Sequence, residues 1–377
     1  MPRITPRFGL KAIDFLETSS DVIKSELLSE YQTVTERTLA DGDPVRLFLN
    51  AIAARLSQLA EAFNLAAKNN LLSYATGDYL DAMGYYVNTP RLQASHASVT
   101  MRFSLSSPVD ISAYQIPKGT LVSDGSISFA TDELAIIKVG ESYVDVTATA
   151  TDAGAFANDL AIGTIKQFND PMPELTASNL DMSSGGADLE EDEAYAERIR
   201  LAPSSFSVAG PHGAYEYHTL KFSSSIVHAS IYGLLEHPGN VYIHPLLEGG
   251  KLPEQAFLDQ LKAYLSAENL RPLTDNLIVT APEAVDYTIK LTWYLSTADL
   301  DKIQQITADV KLAVEEYKNW QQAQIGRDLI PDELTRRVID AGAKRLTIES
   351  PTFKTISASQ VAQCSLIEIN FGGTEEG

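Results

Sequence analysis

The clearest pattern in the chain begins at Asp43 and Pro44. From there Val45, Leu49, Ile52, Leu56, Leu59, Phe63 and Ala66 recur at alternating spacings of four and three. That is a heptad seam kept for about three repeats, on a helix about 40 Å long at ~1.5 Å per residue. Asp43 suits the N-cap, and Pro44 the first helical position, where no backbone donor is needed. Leu47, Phe48, Leu65, Leu71 and Leu72 lie off the seam and widen the apolar surface. An earlier helix is expected over 21–38, capped by Ser20, with Ile23, Leu27, Tyr31 and Val34 on one stripe. A short third helix starts at Gly77-Asp78 and carries Tyr79, Leu80 and Met83 before Gly84. Residues 1–93 therefore form a helical region. Two readings of its seam stay open: burial in the chain's own core, or a bundle shared with other chains. The second gains weight because only one other long helix is on hand to cover the stripe.

Period-two alternation takes over in residues 94–186. Val99, Met101, Phe103 and Leu105 alternate with polar residues, as do Val144, Val146, Ala148 and Ala150. Ile116-Pro117-Lys118-Gly119-Thr120 supplies a turn, and Asp124-Gly125 predicts a hairpin before 126–131. Such punctuation implies an antiparallel sandwich or partly closed barrel. Ser183-Ser184-Gly185-Gly186 reads as a flexible joint.

Residues 187–288 and 289–371 read as two α+β modules. In the first, Asp188 and Glu191 have capping-box spacing for a helix to about Leu201, with Leu189, Tyr195 and Ile199 inward. Gly210-Pro211 opens a helix to Phe222; strands over 227–232 and 240–245 flank a type II turn at His237-Pro238-Gly239-Asn240. A helix over 253–267 carries Phe257, Leu261, Tyr264 and Leu265, and a strand follows over 277–281. The second module has a strand over 288–295, helices over 301–321 and 331–341, and a strand over 345–349. Similar element order hints at an internal duplication, and residues 372–377 read as a mobile tail. The fold class expected is multidomain α+β: N-terminal helices, an antiparallel β domain and two C-terminal α+β modules.

Charge narrows the function. The 377 residues hold 29 Lys+Arg against 50 Asp+Glu, a formal charge of −21. A surface this acidic repels phosphate backbones and anionic lipid, so neither nucleic acid nor membrane is an expected partner. The apolar stretch 47–59 is interrupted by Asn50, Arg55, Ser57 and Gln58, too polar to span a bilayer, and the N-terminus lacks the apolar core of a secretory signal. One cysteine, Cys364, excludes an internal disulfide and any multi-thiolate site; it reads as a buried inert thiol in a protein made in a reducing compartment.

No catalytic, cofactor or metal motif emerges: Walker loop, dinucleotide fingerprint, nucleophile elbow and EF-hand are all missing. His212 and His218 fall on opposite faces of one helix, His237 and His244 flank a turn without an acidic partner, and all six histidines read as ordinary surface or turn residues. Glu190-Glu191-Asp192-Glu193 reads as a first helical turn that complements the helix dipole.

Several stretches in order resemble the baseplate J-like family. They are Ala75-Thr76-Gly77-Asp78-Tyr79-Leu80-Asp81-Ala82-Met83-Gly84 with Arg91 and Ala97, then Ile116-Pro117-Lys118-Gly119-Thr120 with Phe129-Ala130-Thr131. Ser184-Gly185-Gly186-Ala187-Asp188 through Glu193-Ala194-Tyr195 to Arg198-Ile199 resembles the family's most recognisable motif, with Ala196 where the family usually carries Arg. Ala209-Gly210-Pro211-His212-Gly213-Ala214-Tyr215, Pro238-Gly239-Asn240-Val241, Arg271-Pro272-Leu273-Thr274-Asp275 with Val279, and the segment 330–351 follow.

The resemblance implies a non-enzymatic baseplate wedge subunit of a contractile phage tail or related injection system, assembled in the bacterial cytoplasm and residing in the tail baseplate. It implies contacts with itself (dimer and ring), with smaller wedge proteins, and with hub or spike, sheath-initiator and fibre-network proteins. The six-fold ring around the hub would trigger sheath contraction, and the joint at 183–186 would let it change diameter. On this reading the seam Val45, Leu49, Ile52, Leu56, Leu59, Phe63 and Ala66 binds helices of neighbouring wedge chains, and the C-terminal modules make ring contacts. Two alternatives remain open. A tail-associated cell-wall hydrolase needs two carboxylates roughly 5–9 Å apart across a cleft; the β block also suits a receptor-binding module.

Overall fold

The computed structural model describes residues 5–110, 112–206, 212–267, 270–272 and 274–376. Expectations at Gly210-Pro211, Leu273 and Gly377 lie outside the described residues. The chain forms two compact units, one running to Arg91 and including Asp192–Arg200, the other comprising Leu92–Glu191 and Leu201–Gly377.

The first unit is helical: α1 (Ser20–Thr35), α2 (Pro44–Lys68), α3 (Asp78–Tyr86) and α4 (Asp192–Leu201, all but its last residue). The cap of α2 is Asp43, whose carboxylate accepts from the Val45 N–H at 2.9 Å. The cap of α1 is Ser19 and not Ser20, and Glu36 in a left-handed conformation ends it before the expected Thr38. The buried positions of α2 are Ala53, Ser57, Ala60 and Asn64, a stripe about 100° round the helix from the heptad seam. A strap without regular structure, residues 5–19, meets that stripe through residues 15–18. Asn64 grips its backbone: its Oδ1 accepts from Phe15 N and Leu16 N at 2.9 Å each, and its Nδ2 donates to Leu16 O at 2.8 Å. The Ser57 hydroxyl donates to Thr18 O at 2.6 Å. Asn64→Ala removes three strap bonds, about 1–3 kcal/mol; it should speed amide exchange at Phe15 and Leu16 while leaving the core of α2 protected.

The second unit opens with the β domain: β1 (Ser98–Leu105), β2 (Tyr114–Ile116), β3 (Leu121–Ser123), β4 (Ser128–Thr131), β5 (Ala135–Ile137), β6 (Tyr143–Ala150), β7 (Gln167–Phe168) and β8 (Leu175–Asn179). Six strands make an antiparallel near-barrel sheet in the order β7-β3-β4-β6-β1-β8, and β2 pairs with β5. Val99, Met101, Phe103, Phe129, Val146 and Ala148 point into one core with Ile116 and Ile137. At the Asp124-Gly125 hairpin the Asp124 carboxylate accepts from Ser126 and Ile127 N–H at 2.8 Å each. The segment at 183–186, expected to be a flexible joint, is pinned instead. Ser183 is buried and donates to Ala157 O at 2.7 Å, Ser184 exchanges backbone bonds with Ser98, and Asn158 clasps Gly186 from both sides at 2.8 Å. A Cβ on Gly186 would stand 2.4 Å from Gly154 O, so its glycine serves close packing.

The next module contains α5 (His212–Phe222), β9 (Ile226–Gly233), β10 (Asn240–Leu247), α6 (Gln255–Leu265) and β11 (Asn276–Val279). Strand β10 is antiparallel to β9 and parallel to β11. Tyr215, Leu258, Leu261 and Leu265 cover the sheet, and Gly239 (φ +85°) with Asn240 N donating to His237 O makes the expected turn. The last module contains β12 (Glu283–Ser296), α7 (Ile303–Gln322), α8 (Pro331–Asp340), β13 (Arg345–Ser350) and β14 (Gln360–Glu375), in sheet order β13-β12-β14. Strand β12 runs through residue 288, where a module boundary was expected. The expected mobile tail is the end of β14, where Thr374 and Glu375 pair with β12 and Arg345 clamps the Glu375 carboxylate. Each module has a three-stranded mixed sheet, but the central strand comes second in one and first in the other, so chain order does not repeat.

Candidate interaction surface

Chain geometry divides the heptad seam in two. Thr18 is tied to Ser57 at one end of α1, and Leu39 O accepts from Arg46 at the other, so α1 runs antiparallel beside the first half of α2. There Val45, Leu49 and Ile52 are half-buried. Beyond that cover Leu56, Leu59 and Phe63 are 40, 65 and 52 % exposed, and Ala66 is exposed as well. Phe48, 65 % exposed, lies beside the seam, whereas Leu47, 55 % exposed, lies on the far side of the helix; on the strap Ile13, Phe15 and Leu16 are exposed as well. Monomeric surfaces scatter single apolar residues; a row of them along one helix makes the second half of α2 a candidate interaction face.

The motif residues near Gly84 and Tyr195 build the frame under this helix. Tyr195, fully buried, donates to Thr89 O at 2.8 Å and packs with Ala75, Leu80, Ala196 and Ile199. Arg91 lies over the Tyr195 ring at 4.5 Å and binds Asp81 at 2.7 Å and Asp192 at 2.8 Å. Asp192 also accepts from Gly77 N at 3.0 Å, and Arg198 donates to Pro90 O at 2.7 Å. Arg7, 4 % exposed, donates to Ala75 O and Leu72 O and pairs with Glu193 at 3.2 Å.

This geometry corrects the expected capping box. Helix α4 starts at Asp192, Leu189 lies outside it and exposed, and Asp188 accepts from Ala155 N at 2.9 Å. Glu190 is buried and bonds Leu92 N at 2.9 Å; Asp192 and Glu193 alone occupy the first helical turn. Arg7 escaped sequence reasoning because its partners are backbone carbonyls about 65 residues away.

Candidate chemistry is sparse. Among the described residues no group of three His, Cys, Asp or Glu could hold a metal ion, and no helix is long and apolar enough to cross a membrane. A groove of about 440 Å³ between α7 and α8 is lined by Asp309, Glu316, Arg336, Arg337 and Asp340. Its Asp340 and Glu316 pair with Arg336 and Arg337 at 3.1 and 3.7 Å. Cys364 is half-buried, and burial raises its pKa, opposite to an activated thiol.

Three histidines differ from the surface or turn residues expected. His218 and His244 are buried and His228 half-buried, while His96, His212 and His237 are exposed. His244 stacks on Tyr232 and bonds its hydroxyl at 3.0 Å and Thr280 O at 3.1 Å. Burial, aided by Lys221 at His218 and Arg327 at His228, lowers all three pKa values. The folded chain then holds fewer protons than the unfolded one between each lowered pKa and the ordinary ~6.5. Stability is full above that window and lost as pH falls through it, at about 1.4 kcal/mol per unit of separation. The second unit should therefore melt lower at pH 5 than at pH 7.5; a flat calorimetric profile would contradict the assignment.

Comparison with known proteins agrees with this architecture. The baseplate J-like N-terminal domain matches residues 41–98, the baseplate J-like protein barrel domain 100–186, and the baseplate J-like central domain 207–281. Baseplate protein J of Escherichia phage P2 is 27% identical over 190 residues, 50% of this chain and 61% of that protein, so the match spans about three fifths of the relative's length. A chain from the six-fold symmetrised cryo-EM structure of the anti-feeding prophage baseplate aligns over 90% of this chain and 89% of its own, at 14% identity and TM-score 0.42. Three domain matches in chain order, together covering more than half of the residues, place this chain in the baseplate J-like family.

Proposed function

We propose that this protein is a structural wedge subunit of a contractile-tail baseplate, with the second half of the α2 seam as its docking face for helices of neighbouring subunits. The observation that carries the reading is the exposed row Leu56, Leu59, Phe63 on a helix whose flanking buried stripe is already engaged by the strap at Ser57 and Asn64. A helix laid along that row would complete a bundle of α1, α2 and itself by the knobs-into-holes packing that heptad spacing favours. Family membership supports a role in the baseplate, and the near-continuous hydrogen bonding at 183–186 favours movement of whole units over bending at that segment. Ring closure around the hub, the pairing of copies and the link to sheath contraction follow from this reading as its finer parts.

The test is genetic and structural. Particles made without this chain should carry tube and sheath products but lack assembled baseplates on electron micrographs, and peptides of the chain should be present in wild-type baseplates. Particles of normal form and infectivity without it would overturn the proposal.

A further inference from the structure

Helix α3 turns its tyrosines to solvent. Leu80 and Gly84 are its buried positions. At about 100° per residue, Asp78, Ala82 and Tyr85 fall on the outer side, and Tyr79 and Tyr86 run together along its border. Tyr79, Tyr85 and Tyr86 are 55, 83 and 87 % exposed. The Tyr85 and Tyr86 rings meet edge to face, with centroids 6.5 Å apart and planes at 72°, and so form two walls of an open corner. Helical side chains lean toward the N-terminus, which carries this corner back over the small Ala82 toward Asp78. Tyrosine is enriched at the centres of protein interfaces, where its rigid ring and its hydroxyl both find partners.

Elsewhere the chain shows what such a ring takes. Arg102 lies over the exposed Tyr143 ring at 4.3 Å and binds Asp145 at 2.7 Å. Arg91 lies over Tyr195 at 4.5 Å and pairs with Asp81 and Asp192. Arg345 lies over Tyr294 at 3.6 Å and holds the Glu375 carboxylate. Three times, then, a tyrosine face and a carboxylate share one guanidinium. On α3 the tyrosines and the Asp78 carboxylate stand ready, but among the described residues no cation of this chain lies over Tyr79, Tyr85 or Tyr86, and Asp78 has no ion pair.

We propose that the outer face of α3 binds an arginine-bearing segment of another protein, with a guanidinium stacked in the Tyr85–Tyr86 corner and drawn in by the Asp78 carboxylate. Arginine suits the face better than lysine, because its plane covers a ring while its edge donates two hydrogen bonds to a carboxylate. The formal charge of −21 favours a basic partner over a second copy of this acidic chain, nucleic acid or anionic lipid. From Tyr79 to Tyr86 the face is about 10 Å long at ~1.5 Å per residue. Side chains on one side of an extended segment recur about every 6.6 Å, so two of them fit at once. This face is separate from the α2 seam, and titration of the purified chain tests it alone, so its failure would leave the proposed function standing.

Fluorine NMR of the full-length chain labelled with meta-fluorotyrosine reads the site. The Tyr85 and Tyr86 signals are those lost in Tyr85→Phe and Tyr86→Phe. Both should shift saturably with the peptide acetyl-Gly-Arg-Gly-Arg-Gly-amide, and neither with the same peptide carrying neutral citrulline. Lysine in place of arginine should bind about 3-fold more weakly, and so should the arginine peptide on Asp78→Asn. Tyr85→Ala combined with Tyr86→Ala should abolish the shift at Tyr79 while melting at the wild-type temperature. In assembled particles, p-benzoylphenylalanine in place of Tyr86 should photo-cross-link to an arginine-bearing peptide of a different protein. Signals that stay still, or that move equally with citrulline, would overturn the proposal. So would movement with chitohexaose and not with the arginine peptide, which would mark a sugar site. A cross-link to a second copy of this chain or to a segment without arginine, or no protein cross-link in particles that contain the chain, would overturn it as well.

Discussion

Gly84→Ala is expected to destabilise the first unit by about 3–5 kcal/mol, although alanine is the better helix former by about 1 kcal/mol. A Cβ on Gly84, inside α3, would stand 1.8 Å from the Tyr195 hydroxyl and 2.5 Å from the Thr89 carbonyl oxygen. The tyrosine could retreat only by giving up its bond to Thr89 O, and the carbonyl is backbone held between Gly84 and Pro90. Overpacking and a broken buried hydrogen bond therefore add. Tyr195→Phe, which removes only the hydroxyl, should cost about 1–2 kcal/mol. Urea unfolding with amide exchange across 75–91 measures both. A Gly84→Ala protein as stable as wild type would show that the Tyr195 clasp does not hold the unit together.

That glycine also shows what the sequence could and could not reveal. Its place in the motif was visible, and the helix was expected to stop there; the chain instead continues through Gly84 to Tyr86 because the missing Cβ makes room for Tyr195, more than a hundred residues away. Local chemistry was legible wherever the partner is local. Asp43-Pro44 set the start of α2, and the Asp124 hairpin formed as read. Where the partner is remote, the same residue types misled: Asp188 and Glu191 have cap spacing, but Asp188 serves Ala155 and the helix starts later.

The C-terminal strand was missed for a similar reason. Gly372-Gly373 has the composition of a loose end, yet a Cβ on Gly372 would meet the Tyr294 ring at 2.5 Å, so this glycine lets the strand lie against β12. The strap 5–19 has no periodicity to find. Its signal was the polar pair Ser57 and Asn64 sharing a buried stripe with Ala53 and Ala60, each serving backbone groups of the strap. The heptad spacing of α2, by contrast, was legible as a pattern, and the structure adds how far α1 covers it.

Leu59→Glu combined with Phe63→Glu is expected to abolish incorporation into the baseplate while sparing the fold. Both side chains are more than half exposed, so the free protein should change by only about 0.5 kcal/mol. Inside a bundle each carboxylate would be buried without a partner, at about 3 kcal/mol or more, so association should weaken at least ~100-fold. The most direct measurement is quantitative mass spectrometry of baseplates assembled when the double variant and the wild-type chain compete in one cell, with thermal melts of the purified chains alongside. Near-total exclusion of a variant that melts like wild type is the predicted result; equal incorporation of the two chains would contradict the assignment of the seam.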